Sequence, residues 1–333
     1  MPPTRRDRLL RWGKRAVPWV SLVVGTAGAL VMDRNPQRGV VVAVIGLATW
    51  VALLVAIWFG RLGRDGEAKH PRARLWLGAR FTSLMLTQSS IHLQLYFVLP
   101  YYLKAWAGTV GQTVFVAVVC VAALVSLWDP LTEHLLTRTR YGLLLPALSN
   151  FVVLAAVLPS MGVSNGTSLW VAAATSSVAL PVVVLADRLV DRDKGLVGAC
   201  VVGLLIPVGL ALGGARLVPA VPLRLISAEV GTRQLGRGVA DPREHFERRP
   251  GRLMCATAIG APLGVRDQLL HVWRHDGVVV DRIALEVAGG REEGFRTWSI
   301  KHNLGDDPNG SWSCAVETAG GQFLGERRFT IGP

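Results

Sequence analysis

Charge is scarce in this 333-residue chain, and lysine is scarcer still. Charged residues make up 18% of the sequence against 51% hydrophobic residues, and only five of the 36 basic residues are lysine. An ordinary soluble protein carries about 25% charged residues. The apolar residues are also unevenly placed, because residues 1–214 contain seven apolar runs and residues 215–333 contain none. This distribution predicts a membrane protein with a C-terminal domain outside the bilayer.

Motifs of common catalytic and cofactor sites are absent. The sequence has no His-Glu-x-x-His, Gly-x-x-x-x-Gly-Lys, Cys-x-x-Cys or Gly-x-Ser-x-Gly segment. His271 and His275 share one face of a predicted strand, but four residues at about 3.3 Å each place the imidazoles about 13 Å apart. That separation is too large for one metal ion. We therefore predict no catalytic residues, no cofactor and no metal site.

Basic charge is abundant only in the first part of the chain. The formal net charge is +13, of which residues 1–250 carry +14 and residues 251–333 carry −1. A nucleic-acid interface needs a basic face on a folded domain, and the neutral C-terminal region does not supply one. We therefore exclude nucleic acid as a partner and assign the excess charge to loops between membrane spans.

The apolar runs define a predicted topology, with the lipid bilayer as a partner. Each run is near the ~20 residues that cross about 30 Å of hydrocarbon. The predicted spans are 16–32, 39–59, 81–103, 108–128, 143–160, 168–186 and 195–214. Counted on alternate sides, 17 Lys and Arg flank one side and six the other, which makes the N-terminus cytoplasmic. Seven spans then place the C-terminal domain outside the cytoplasmic (inner) membrane, whereas one span more or fewer would place it inside.

The third run contains a candidate intramembrane polar site formed by Gln88, His92 and Gln94. Gln88 and His92 are four residues apart and share one face of a helix. Polar side chains commonly join membrane helices through hydrogen bonds, and we favour that role. The alternative is a substrate or proton pathway, in which the bundle would be a membrane transporter or lipid-handling protein regulated by the C-terminal domain.

The C-terminal region is predicted to be all β. Short alternating runs are separated by turn signals such as Asp276-Gly277 and Gly289-Gly290. The predicted strands are 224–230, 253–259, 268–275, 278–287, 295–302, 312–318 and 323–331. This spacing favours an immunoglobulin-like sandwich. The predicted domains are a transmembrane helical domain at 1–214, a proline-containing connector at 215–250 and a soluble β-sandwich at 251–333.

Several segments of the chain resemble a known family. They are Cys255 to Val265, His271-Val-Trp-Arg-His275, Gly289-Gly-Arg291, Gly294-Phe-Arg-Thr-Trp-Ser-Ile-Lys301 and Gly310-Ser-Trp312. Together they are similar to a bacterial domain-of-unknown-function family whose modules follow multi-span membrane regions. In the N-terminal part, Asp33-Arg34, Gln88 with His92, Leu99-Pro100 and Asp129-Pro130 resemble the membrane region often joined to it. The resemblance implies an envelope membrane protein with a β-sandwich and supplies no reaction.

Three residues of the sandwich form a candidate partner surface: Trp273, Arg296 and Trp298. Each tryptophan lies in the middle of a predicted strand, where we favour a place in the core. Arg296 shares a strand face with Trp298, so a ring and a cation would form a patch if that face is solvated. If the face is interior, Phe295, Thr297 and Ser299 point outward and the patch disappears.

Cys255 and Cys314 are the two cysteines outside the apolar runs. Each alternates with apolar residues on its strand, so both are expected on the inner face. An oxidising compartment would permit a disulfide between them. The alternative is a pair of free buried thiols, because unpaired cysteine is also among the most buried residue types.

The sequence thus indicates a non-enzymatic envelope protein. Seven helices would anchor a sandwich that binds an envelope protein or a glycan outside the membrane, with no catalysis. The transporter or lipid-handling function of the helical bundle remains the alternative.

Overall fold

The computed structural model describes residues 73–127, 144–177 and 213–332, with a few single positions within 19–27, 44–48 and 197–209. Four helices have described bounds: α1 Ala73–Ala105, α2 Val110–Ser126, α3 Leu144–Ser160 and α4 Asn165–Ser177. They overlap the third to sixth predicted spans, 81–103, 108–128, 143–160 and 168–186. The predicted spans 16–32, 39–59 and 195–214 lie almost wholly outside the described residues.

The predicted transmembrane bundle is wrong. Within the described ranges, no helix combines the length and the apolar character needed to cross a membrane. α2 and α3 have 17 residues each and α4 has 13, and 17 residues rise only about 26 Å against the ~30 Å of a hydrocarbon core. α1 has 33 residues, but polar side chains at Gln88, His92 and Gln94 lower its hydropathy. This finding contradicts three predictions: the seven spans, the multi-pass character and the inner-membrane location.

The helices form a core centred on α1. Ile91, Leu95 and Tyr102 of α1 are completely buried within a cluster shared with α2, α3 and α4. The Tyr102 hydroxyl donates to the carbonyl of Val152 on α3 at 3.0 Å. At the start of α2, the Thr109 side chain accepts a hydrogen bond from the backbone N–H of Gln112, which satisfies one of the free donors of the first turn. Helix packing thus uses the same apolar runs that were taken for spans.

The C-terminal region is β-rich, as predicted. Its strands are β1 Arg224–Gly231, β2 Gln234–Leu235, β3 Gly238–Val239, β4 His245–Phe246, β5 Leu253–Gly260, β6 Arg266–His275, β7 Val278–Ala288, β8 Phe295–Lys301, β9 Gly310–Thr318 and β10 Phe323–Ile331. All seven predicted strands are present, with ends within two residues of the predicted ones. The turns lie where Gly and Asp marked them, and Asp276 and Gly277 both have positive φ between β6 and β7.

Two sheets face each other. One has the order β1-β5-β8, and the other has the order β4-β10-β9-β6-β7, while β2 and β3 form a separate hairpin. In immunoglobulin lettering, the first sheet corresponds to strands A, B and E, and the second to G, F, C and C′ with β4 at the edge. Trp273 and Trp312 are fully or almost fully buried between the sheets.

A disulfide joins the two sheets at the centre of the sandwich. Cys255 on β5 and Cys314 on β9 are bonded, with their Cα atoms 6.5 Å apart and both side chains fully buried. Of the two alternatives left open by the sequence, the structure contains the bonded pair. Trp273 on β6 pairs with Cys314 across the β6–β9 ladder. This combination of a cross-sheet disulfide and a neighbouring tryptophan marks immunoglobulin domains.

The segment expected to be a connector, 215–250, contributes four strands to the β region. β1 forms the edge of the three-stranded sheet, and β4 pairs in parallel with β10. β1 was among the predicted strands, but the prolines and charges around it favoured a linker. The sandwich therefore begins at Arg224 rather than at residue 251.

The helices and the sandwich touch through polar contacts. Gln112 of α2 donates to the carbonyl of Phe323 at 2.8 Å. At the start of α4, the backbone and side-chain nitrogens of Asn165 both donate to one carboxylate oxygen of Asp267, at 3.2 and 2.7 Å. Because Asp267 lies near the start of β6, these contacts fix one end of the sandwich against the helix termini.

Loss of the disulfide is expected to lower the free energy of unfolding by about 4 kcal/mol, because a bridge across 59 residues restricts the unfolded chain. Urea unfolding of a Cys255→Ala, Cys314→Ala double variant, compared with the wild type without reductant, measures this loss. Cys120→Ala is the matched control, since it removes an unbonded cysteine from a helix. A change below about 1 kcal/mol in the double variant would contradict a stabilising cross-link.

Candidate functional site

The strand β8 separates a buried face from an exposed one. Thr297, Ser299 and Lys301 are buried, whereas Arg296 and Trp298 are exposed, with 37% of Trp298 accessible. The core position favoured for Trp298 is therefore wrong. Its ring lies on the solvent side of the three-stranded sheet, on the same strand face as Arg296.

The backbone register arranges two rows of side chains across this outer face. Trp298 lies opposite Ala256 of β5, which in turn lies opposite Glu229 of β1. In the next row, Arg296 lies opposite Ala258, and Ala258 lies opposite Ser227. Because the two central residues are alanines, the middle strand forms a low floor between larger side chains.

A hairpin forms one wall of this floor. β2 and β3 place Val239 against Met254 and Ala256, which covers one half of the outer face. The hairpin turn at Gly236, where φ is +58°, presents Arg237 beside the uncovered half. We call the depression lined by Glu229, Arg237 and Arg296, with the two alanines at its base, the outer groove. Trp298 lies beside it on the same face of the sheet, in the row of Ala256 and Glu229.

The outer groove continues into a wider depression of about 550 Å³. Arg237 and Arg296 line both parts, and the loop between β7 and β8 adds Arg291, Glu292 and Glu293. The Arg291 guanidinium lies 5.3 Å from the centre of the Phe295 ring, which holds it at the rim.

The guanidinium groups of Arg237 and Arg296 are exposed, and neither forms an ion pair with a residue that the structure describes. Glu229 stands across the floor from them as a hydrogen-bond acceptor. The groove can therefore offer several donors and an acceptor to a ligand, and the exposed Trp298 beside it adds an aromatic side chain.

Trp273 does not belong to this surface. Its side chain is completely buried between the sheets, and its indole N–H donates to the Ser299 hydroxyl at 3.2 Å. Of the three residues predicted as a partner surface, the structure brings Arg296 and Trp298 together on the outer face and places Trp273 in the core.

His271 lies in the same interior, next to the disulfide. Its two ring nitrogens are 2.9 Å from the Thr257 hydroxyl and 2.7 Å from the Ser299 hydroxyl. Burial lowers the pKa of His271 to about 4, so the imidazole is neutral near pH 7. A serine beside a histidine is an arrangement used by hydrolases, but His271 is completely buried and Ser299 is 4% exposed. This contact therefore offers no nucleophile to a ligand at the surface.

The predicted polar site of the third run lies in the helical core. Gln88, His92 and Gln94 are all buried. The Nε2 of His92 contacts the carbonyl of Ser126 on α2, and the side-chain oxygen of Gln94 accepts from Ser149 of α3 at 2.5 Å. Burial lowers the pKa of His92, and its contact with the Ser126 carbonyl opposes that effect. The described contacts of His92 and Gln94 join α1 to both neighbouring helices.

Sequence reasoning missed two features. Arg237 was assigned to a connector, although a Gly-Arg turn between two short β runs is a hairpin signal. The proximity of His271 to the two cysteines was also missed. Its signal was the inward position of all three residues on predicted strands, but strand pairing was needed to bring them together.

Acidification is expected to weaken the fold through His271. Its pKa is about 4 when folded and 6.5 when exposed, so the unfolded chain binds the proton first as the pH falls. The stability contributed by the neutral ring is complete above pH 6.5 and decreases toward pH 4 by about 3 kcal/mol.

Urea unfolding between pH 7 and pH 4 measures this dependence in the wild type and in His271→Gln, which cannot be protonated. His302→Gln is the control because His302 is exposed. A slope against pH that is the same in His271→Gln and in the wild type would contradict the assignment.

Two family models match the chain. The match described as "Protein of unknown function (DUF2914)" covers residues 266–331, from the start of β6 to the end of β10. The match described as "Family of unknown function (DUF5924)" covers residues 4–249 and so includes the helices and the strands β1 to β4. The sandwich is thus assembled from both matched regions, with β5 between them. No curated protein matches the sequence. The resemblance to an uncharacterised family is confirmed at this level, and, since the longer match spans well over half of the sequence, the chain belongs to the DUF5924 family of unknown function.

Proposed function

We propose that this protein is a non-catalytic binding protein and that the outer groove of its sandwich binds a glycan. The observation that carries the proposal is the exposed ring of Trp298 in the middle of a strand, with Arg296 beside it. A tryptophan at such a position loses hydrophobic stabilisation unless a ligand covers it.

The chemistry of the groove favours a sugar over other ligands. Sugar hydroxyls both donate and accept hydrogen bonds, and the groove presents guanidinium donors and a carboxylate acceptor on either side of the floor. The apolar face of a sugar ring can stack on an indole such as that of Trp298. The formal charges of the lining Arg and Glu side chains balance, which fits a neutral glycan better than a polyanion.

A protein partner fits the groove less well. Protein interfaces concentrate several aromatic and apolar side chains in a desolvated centre. Trp298 is the one exposed aromatic side chain among the large exposed hydrophobic residues of the described sandwich. Around it, the groove is lined by charged residues and alanines.

The helical polar side chains support recognition by the sandwich rather than an activity in the helices. Gln94 and His92 are used in contacts between α1 and its neighbours. Hydrogen bonds of this kind between neighbouring helices stabilise a helix core.

Replacement of Trp298 is expected to weaken glycan binding at least tenfold, which is about 1.4 kcal/mol. The full chain is titrated by calorimetry with neutral oligosaccharides of hexose and of N-acetylhexosamine, each at least four units long. Trp298→Ala removes the stacking face. Trp170→Ala is the matched control, since Trp170 is 49% exposed on α4.

A second pair of variants tests the arginine. Arg296→Ala should weaken binding, whereas Arg282→Ala, at an exposed position of β7, should not. The proposal is supported if an oligosaccharide binds the wild type and both controls more tightly than Trp298→Ala. It is contradicted if no oligosaccharide binds at millimolar concentration, or if Trp298→Ala binds as well as the wild type.

A further inference from the structure

The interior of the sandwich contains a compact set of metal-ligand atoms that the proposed glycan site does not use. The sulfurs of Cys255 and Cys314 and one ring nitrogen of His271 all lie within 4.8 Å of one another. All three side chains are completely buried. They come from three different strands, β5, β9 and β6, and therefore from both sheets.

The three residues are held in place by the fold itself. Cys255 and Cys314 occupy the inner faces of two central strands, and His271 lies on β6 between Leu269 and Trp273, both fully buried. The hydroxyls of Thr257 and Ser299 contact the two ring nitrogens. The imidazole is thus fixed beside the sulfurs rather than free to turn away.

We infer that reduction of the disulfide converts this cluster into a zinc site with Cys255, Cys314 and His271 as ligands. In the oxidised protein the sulfurs are bonded to each other and offer no thiolate. A dithiol reductant transfers two electrons and two protons, so that the protein disulfide becomes two thiols and the reductant becomes a disulfide. Zn²⁺ then displaces one proton from each thiol, and both protons leave to solvent.

The spacing is close to what zinc requires. With Zn–S bonds near 2.3 Å and a Zn–N bond near 2.1 Å in a tetrahedron, the two sulfurs stand about 3.8 Å apart and each is about 3.6 Å from the nitrogen. The ligand atoms already lie within 4.8 Å of one another, and cleavage of the S–S bond lets the two cysteine side chains rotate toward these separations.

Charge balance favours a divalent ion. Two thiolates and a neutral imidazole give Zn²⁺ a neutral complex, which costs less in a dry core than a charged one. Soft thiolate ligands also select zinc over magnesium or calcium. These three residues fill three of the four tetrahedral positions. When zinc takes one ring nitrogen, the other keeps its hydroxyl partner, the arrangement that usually orients a metal-bound histidine.

The consequence is a sandwich cross-linked in either redox state. The oxidised form carries a covalent bond between β5 and β9, and the reduced form carries a metal that joins β5, β9 and β6. The inference is independent of the outer groove, since its residues face the interior and Arg296 and Trp298 face away from it.

Cobalt is the probe, because Co²⁺ bound to thiolates has sulfur-to-metal charge-transfer absorption in the near ultraviolet. The full chain, with Cys120 and Cys200 replaced by Ala, is reduced with a dithiol, freed of it without air, and titrated with CoCl₂. We expect one Co²⁺ per chain, displaced by one equivalent of ZnCl₂, and no binding to the oxidised protein. His271→Gln should lower the affinity at least tenfold, whereas His302→Gln should leave it unchanged.

X-ray absorption of the zinc-loaded protein identifies the ligands of zinc directly. It therefore tests the inference without a variant, in case His271→Gln does not fold. Two sulfur ligands and at least one nitrogen ligand are expected around zinc. Near-ultraviolet circular dichroism of the buried tryptophans follows the fold during reduction. The inference is overturned if the reduced protein binds no Co²⁺, if zinc has fewer than two sulfur ligands or no nitrogen ligand, or if reduction abolishes the tryptophan signal and zinc does not restore it.

Discussion

The contact between β5 and β9 is the constraint on which the β region depends. These strands belong to different sheets, and the Cys255–Cys314 bond ties their inner faces together at the centre of the sandwich. Trp273 and Trp312 fill the space beside it. The Phe329 ring contacts Trp273 edge to face and stacks on Trp312, with ring centroids 6.4 and 6.3 Å away. A small sandwich with one narrow core gains much from such a cross-link, because the core alone buries limited apolar area.

The packing of the two sheets also determines which side chains of β8 face outward, where the proposed ligand would bind. The inner position of Ser299 is required because its hydroxyl accepts from the Trp273 indole and contacts the His271 ring. Strand alternation then directs Arg296 and Trp298 to the opposite face. The hairpin β2–β3 packs on one half of that face, and the small side chains of Ala256 and Ala258 form a buried base between the charged residues of the groove. The hydrogen bonds of Ser299 in the core and the outward position of Arg296 and Trp298, on which the proposed binding surface rests, thus have one common origin.

Much of the β region could be predicted from the sequence, because Asp-Gly and Gly-Gly turns and period-two alternation are local signals. The sequence did not predict which face of β8 Trp298 occupies. Trp273, Trp298 and Trp312 each lie in the middle of a predicted strand, and that position favoured the core for all three. The deciding interaction is a hydrogen bond from Trp273 to Ser299, between strands distant in sequence. β1 was predicted as a strand. The prolines and arginines around it favoured a connector, so its pairing with β5 was not predicted. The error in the helices had another cause: Ile91, Leu95 and Val152 are apolar because they pack against neighbouring helices, and hydropathy alone does not distinguish helix packing from lipid contact.

The central claim is that β8 directs Trp298 to solvent as a ligand-stacking face while Trp273 and Trp312 are enclosed between the sheets. Oxidative footprinting of the full chain, with tryptophan modification read by mass spectrometry in the absence and presence of a saturating neutral oligosaccharide, tests it directly. Trp298 should be oxidised readily in the free protein and protected by the oligosaccharide, while Trp273 and Trp312 should remain unmodified in both. Equal modification of the three rings in the free protein, or a Trp298 ring whose oxidation the oligosaccharide leaves unchanged, would contradict the account.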